Sequence, residues 1–238
     1  MAGKKQSRGN CVFCGREMTK GGLSRHLKTC PKRQEAVVTA DAQSGRKETI
    51  FHLQVLDAWG GDYWLHMEMR GDAELYDLDQ YLRSIWLECC GHLSAFEIDP
   101  YRYTQLFDSG WSHGNEKSMH VQVRKLFASG QVIPYEYDFG TTSELLIKVI
   151  DSREGKALTQ KPLYLMARNQ APQFECQECK KPAAWLCLEC IYEDDQPGLL
   201  CEQHAENHPH EEYDEPLPLE NSPRTGMCAY SGPAEPPY

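Results

Sequence analysis

Cys176-Gln-Glu-Cys179, Cys187-Leu-Glu-Cys190, Cys201-Glu-Gln-His204 and His208-Pro-His210 follow one another within 35 residues. Three of these four pairs leave two residues between the ligands, the gap at which one tight turn presents both side chains to a single ion. Structural zinc takes four such ligands in a tetrahedron, so eight candidates imply two ions. Between them lie few core groups, Trp185, Leu186, Leu199 and Leu200 among them. A segment with so little to bury cannot fold alone, and the metal must supply its folding free energy. A disulfide framework is the competing explanation. Cysteine alternating with histidine at metal spacing argues against it.

Working outward, the 238 residues leave room for one medium domain beside small modules. No run approaches the roughly 18 apolar residues needed to cross a bilayer. The opening Met-Ala-Gly-Lys-Lys-Gln-Ser-Arg is charged without an apolar core, unlike a secretory signal. The expectation is therefore a cytoplasmic protein with no membrane association, whose eleven cysteines hold metal or lie buried in a reducing compartment. Its net charge of −10 is unevenly spread. Residues 1–35 carry nine basic against two acidic residues, and residues 171–238 carry three against fourteen. A polyanion would meet the head and be repelled by the tail.

The basic head contains Cys11, Cys14, His26 and Cys30, spaced C-x2-C-x11-H-x3-C. His26 and Cys30 are four apart, so they share one face of a helix and can close a tetrahedron with the Cys11–Cys14 turn. Met18 and Leu23 stand where a small ββα finger keeps its core, and Pro31 ends the helix. The pattern resembles C2H2-like fingers with cysteine as the last ligand, which assigns residues 1–33 to a CCHC zinc finger. Lys20, Arg25 and Lys28 lie around the helix start and its exposed face, where such a finger meets nucleic acid. The bland alternative is a solvated basic face on a structural finger.

In the C-terminal stretch the order C-x2-C, C-x2-C, C-x2-H, H-x-H resembles cross-braced B-box-type zinc domains. That resemblance implies Cys176, Cys179, Cys201 and His204 on one ion, and Cys187, Cys190, His208 and His210 on the other. A sequential pairing of the first four cysteines stays open, as does replacement of His210 by Cys228.

Residues 34–47 lack apolar periodicity and read as a linker. Ile50–Leu56 and Tyr63–Met69 alternate as strands around a Trp59-Gly60-Gly61-Asp62 turn. Leu75, Leu78, Leu82, Ile85, Trp86 and Cys89 recur at helical spacing, with Asp72 or Asp77 as N-cap and Gly91 as stop. Further strands are expected at 92–98, 132–139, 144–150 and 163–167. Residues 100–118 read as irregular, and 121–127 as helix or strand. The expected fold class is α+β: a central mixed strand/helix domain over 48–170, flanked by two small zinc-stabilised modules. The second module covers 171–212, and an acidic Pro-rich tail follows over 213–238.

Trp64-Leu-His66, the run from Leu82 through Cys89-Cys90-Gly-His92 to Phe96, and Tyr135-Glu-Tyr-Asp-Phe-Gly140 carry a family resemblance. They are similar to the plasmid Ri open-reading-frame-like family, itself related to insertion-sequence passenger proteins. The resemblance spans about residues 48–168. Many relatives follow Tyr-Asp-Phe-Gly with an acidic residue, a tryptophan and a histidine, and this chain has Thr141, Thr142, Ser143, Glu144 and Leu145 instead. The family implies association with mobile elements and no established reaction.

Glu136 and Asp138 share a strand face by period two and form a weak candidate pair for divalent-metal catalysis. The preferred reading of Asp138 is a turn cap that bonds backbone amides near Thr141 and Thr142. Cys89 and Cys90 beside His92 raise a Cys–His nucleophile, but their apolar neighbours favour inert thiols. The reading is a non-enzymatic zinc protein with three Zn2+ ions, contacting nucleic acid through residues 1–33 and a protein partner through the central domain. A metal-dependent hydrolase or nuclease built on Glu136 and Asp138, and a pure protein–protein adaptor, are the alternatives.

Overall fold

Strand β3 (Glu48–Asp57) is buried along seven consecutive residues, Ile50 to Leu56, as a central strand covered on both faces must be. The computed structural model describes residues 6–105, 114–210 and 215–237. The chain divides into two units: Met1–Arg83 with His92–Gln170, and Ser84–Gly91 with Ala171–Tyr238.

The first unit is built on a ten-stranded sheet. Its strands are β1 (Arg8–Cys11), β2 (Glu17–Thr19), β3, β4 (Trp64–Arg70), β5 (Ser94–Ile98), β6 (Tyr101–Thr104), β7 (Glu116–Ser118), β8 (Val132–Tyr137), β9 (Ser143–Gly155) and β10 (Leu163–Asn169). The order is β2-β1-β10-β4-β3-β9-β8-β5-β6-β7, antiparallel except for β6 and β7. In β9 the alternation is regular, with Ser143, Leu145, Ile147 and Val149 buried and the residues between them half-exposed. The stretch expected to be irregular supplies β6 and β7, and its residues 106–113 lie outside the described residues. Residues 121–127 hold a single 3-10 turn, Val123–Lys125.

Helix α1 (Lys20–Thr29) and helix α2 (Pro31–Ala42) lie in the same unit. Strand β1 of the finger is paired with β10, in the register Gly9↔Asn169 and Cys11↔Ala167. A Cβ at Gly9 would come within 2.0 Å of the Arg168 carbonyl oxygen and 2.5 Å of the Trp64 ring, so only glycine allows this approach. Leu23 and Leu27 of α1 are fully buried in one core with Leu56, Trp64, Met166 and Ala167 of the sheet. Met18, expected in the finger's own core, packs at the margin of that shared one.

The stretch read as a linker carries α2. It escapes a periodicity search because only Ala40 is buried, and its attachments are polar. Arg33 Nη2 donates to Glu68 Oε1 at 2.6 Å, and Asp41 Oδ1 accepts from the Lys156 amide at 2.7 Å. Pro31 stands two positions after Thr29, the last residue of α1, and also opens α2, at the position where a missing N–H costs nothing.

Helix α3 (Leu75–Leu82) is shorter than its apolar spacing suggested, because Arg83–Leu87 widens into a π-helical turn. Its N-cap is Glu74 and neither expected aspartate, but Asp77 reaches back to accept the Glu74 amide at 2.7 Å.

The second unit contains a three-stranded sheet of β11 (Trp185–Leu186), β12 (Leu199–Leu200) and β13 (Leu217–Pro218), in the order β12-β11-β13. Two single-turn helices join it, α4 (Leu188–Tyr192) and α5 (Glu202–Glu206). One cluster of its core holds Cys187, Cys190 and Leu200, with Trp185 and Ala205 packed against them. Residues 211–214, at the boundary expected between module and tail, lie outside the described residues.

Candidate metal centres

The Cys11–Cys14 turn is shaped by its backbone. The Cys11 amide donates to Arg16 O at 3.1 Å, and the Gly15 amide donates to Cys11 O at 2.8 Å. Gly15 has φ of 71°, which a glycine adopts without strain. Cys176 repeats the arrangement: its amide donates to Lys181 O at 2.7 Å, and the Lys180 amide donates to Cys176 O at 3.0 Å. Lys180 takes the glycine's place at φ of 63°. In the second module, Cys187 caps α4 and accepts the Cys190 amide on its sulfur at 3.4 Å, while Cys201 caps α5.

These turns gather three four-residue groups: Cys11, Cys14, His26 and Cys30; Cys176, Cys179, Cys201 and His204; Cys187, Cys190, His208 and His210. Within each, the ligand atoms lie within 4.8 Å of one another, so each can hold a metal ion. A tetrahedral ion with sulfur at about 2.3 Å sets neighbouring sulfurs about 3.8 Å apart, and sulfur about 3.6 Å from an imidazole nitrogen. Cys11 and Cys30 Sγ stand 4.0 Å apart, and Cys14 Sγ is 3.2 Å from His26 Nε2. Cys179 and Cys201 Sγ are 3.7 Å apart, and Cys176 Sγ is 3.3 Å from His204 Nδ1. Cys190 Sγ lies 3.2 Å from His208 Nε2 and 3.3 Å from His210 Nδ1. The residues fit a tetrahedral ion in every case.

The C-terminal residues are grouped in the interleaved order, and the first four cysteines do not form one group among the described residues. His210 holds its place: its Nε2 lies 3.3 Å from Asp194 Oδ2, a carboxylate that orients the ring with Nδ1 toward the thiols. Cys228 stands beside Cys90 instead, at 3.7 Å. In the finger, burial and then the Arg16 charge hold His26 below the usual imidazole pKa, favouring the neutral ring a metal needs. Burial pushes the Cys11 thiol up to about 11, so metal binding there must release a proton.

The basic candidates differ in exposure. Lys20 Nζ donates to Gly61 O at 3.0 Å, so the β3–β4 turn occupies it. Arg25 and Lys28 are exposed.

Glu136 and Asp138 do not converge. Glu136 accepts from Arg102 Nη2 at 3.0 Å. Asp138 is buried, with φ of 66°, which ends the alternation of β8 and removes the expected shared face. Its Oδ1 accepts the Gly140 amide at 3.0 Å, one residue earlier than the turn-cap reading placed it. Neither belongs to a ligand group among the described residues.

Asp79 is a group the sequence did not single out. Fully buried, it accepts from Arg83 Nε at 2.8 Å, Ser94 Oγ at 2.6 Å, Tyr135 OH at 2.8 Å and Gln105 Nε2 at 2.6 Å. Burial, then the Asp79 charge, holds the Tyr135 hydroxyl well above its usual pKa. Arg83, Ser94 and Tyr135 all belong to the motifs quoted for the family resemblance. They meet as an ionic lock tying α3 to β5 and β8, with every partner satisfied.

The model of the plasmid pRiA4b ORF-3-like protein family matches residues 50–213, and the chain belongs to that family. No curated protein matches it. Among solved structures, a protein of unknown function, MM3350 from Methanosarcina mazei Go1, is similar at 15% identity and a TM-score of 0.40, over 53% of this chain and 70% of that one.

Proposed function

We propose that this member of the pRiA4b ORF-3-like family is a zinc-stabilised recognition protein, with structural ions in the three Cys/His groups described above and an exposed basic face on α1 that contacts nucleic acid. The observation that carries the structural role is the closure of each group. Four protein ligands at tetrahedral spacing leave no open position for a water or substrate, which a catalytic zinc requires. Thiolate-rich donor sets suit zinc over the hard cations that carboxylates prefer.

Arg25 and Lys28 support the nucleic-acid role, since they are the candidate cations on α1 that lie exposed. Lys20, Ser24, Leu23 and Leu27 face the sheet, so α1 cannot enter a groove as a free finger helix does. The contact is therefore to phosphates and independent of sequence.

The test uses Arg25→Ala with Lys28→Ala, because deleting residues 1–33 would strip Leu23 and Leu27 from the sheet. Binding to mixed-sequence DNA and RNA is measured against salt. The double variant is expected to weaken binding uniformly and to lower the log–log salt slope by about 2. An unchanged slope, or no binding by the intact protein, overturns the nucleic-acid role and leaves a protein-interaction adaptor.

A further inference from the structure

Cys89, Cys90 and Cys228 come together within the second unit, although 138 positions separate Cys90 from Cys228. Cys89 and Cys90 Sγ stand 3.8 Å apart, and Cys90 and Cys228 Sγ 3.7 Å apart. His92 follows directly after Gly91 on the same loop, and its ring nitrogen joins the three sulfurs so that all four atoms lie within 4.8 Å of one another. We infer that Cys89, Cys90, His92 and Cys228 form a fourth zinc centre, a Cys3His site that staples residues 84–91 to the segment 222–230.

The spacing is the argument. A disulfide holds its sulfurs about 2.05 Å apart. A tetrahedral zinc ion sets them about 3.8 Å apart. Both pairs match the second value, as Cys179 and Cys201 do at 3.7 Å in a group recognisable by its spacing alone.

The supports around the thiols point the same way. Gly91, at φ of 82°, allows the turn that returns His92 toward the cysteines. Arg224 is fully buried, and its Nη2 lies 3.6 Å from Cys89 Sγ, fixing that sulfur from behind. Ser222 Oγ donates to Trp86 O at 2.6 Å, so the two segments are already in register beside the ligands. Cys228 and Ala229 hold φ of 50° and 52°, a backbone that L-residues adopt at a cost and that a ligand bond at Cys228 would offset. The donor set is three thiolates and one imidazole, with the selectivity for zinc of the finger's own set.

The experiment counts zinc in the full-length chain, purified and kept under reducing conditions, by elemental analysis. Four equivalents per chain are expected for the wild type and three for Cys90→Ser and for Cys228→Ser. Because either serine variant could fail to fold, His92→Cys and His92→Ala serve as a second pair. The cysteine variant should retain the fourth equivalent through chelator competition, and the alanine variant should release it at a lower chelator concentration. Cobalt substitution adds a direct signature: the sulfur-to-cobalt charge-transfer absorbance at four equivalents should exceed that at three, and Cys228→Ser should remove the increment. Three equivalents in the wild type would leave the other three centres standing and overturn this one. A Cys90–Cys228 or Cys89–Cys90 disulfide persisting in the reduced protein would overturn it as well.

Discussion

Replacing Leu27 by alanine would show whether the finger is a separate module or part of the sheet's core. Leu27 touches no ligand role, and it is fully buried beside Leu56, Trp64, Met166 and Ala167. Truncating a buried leucine costs about 2–5 kcal/mol, transfer and cavity together. If α1 is the lid on this face of the sheet, that cost falls on the whole unit. Core strands open with the global free energy, so amides of β3 and β9 should then exchange about 30- to 4,000-fold faster, since each 1.4 kcal/mol is a factor of ten. Hydrogen–deuterium exchange read by mass spectrometry, with zinc present, resolves peptides 48–57 and 143–155 from peptides 6–33. Faster exchange confined to residues 6–33, with β3 and β9 unchanged, would refute the shared core and restore a tethered finger.

Three further outcomes are expected. His52 and His66 face each other at 2.9 Å beneath α1, and burial, reinforced by Arg33 at His52 and by His52 at His66, lowers each pKa to about 3. The unfolded chain takes up these protons near pH 6.5 and the folded one near 3, so their stability contribution is complete above pH 6.5. It is lost as pH falls toward 3, at up to about 1.4 kcal/mol per unit for each histidine. His66→Gln should therefore shrink the difference in urea stability between pH 7 and pH 5.5 relative to wild type, and an identical difference would count against a neutral pair. Gly15→Ala should lower stability by about 1–2 kcal/mol, because it forces a Cβ into left-handed backbone, whereas Lys180→Gly at the matching turn should be neutral or slightly stabilising; thermal melts of the zinc-loaded protein compare them. Asp79→Ala should cost about 3–5 kcal/mol by leaving the buried Arg83 without its carboxylate, read as a loss of denaturation midpoint.

What the sequence alone determined is what coordination chemistry and backbone turns make local. A C-x2-C pair is legible because two ligands on one turn must face the same ion, and Cys11–Cys14, Cys176–Cys179 and Cys187–Cys190 each behave that way. The strands around Leu53, Met67 and Ile147 were legible for a similar reason, since alternation is written in neighbouring residues.

Tertiary structure decided what depends on partners distant along the chain. His52, Gln54, His66 and Glu68 alternate with apolar residues and look like a solvent face, yet all four are buried because α1 and α2 cover them. Nothing in β1 announces its pairing with β10, about 160 positions away, because backbone hydrogen bonds carry no side-chain signature. Asp79 drew no attention because an isolated aspartate in a helix is ordinary until donors from several elements converge on it. Cys228 looked like a spare ligand for the nearby zinc module and stands instead beside Cys90. A ligand's type is a property of its residue, whereas the company it keeps is set only when the chain has closed its long loops.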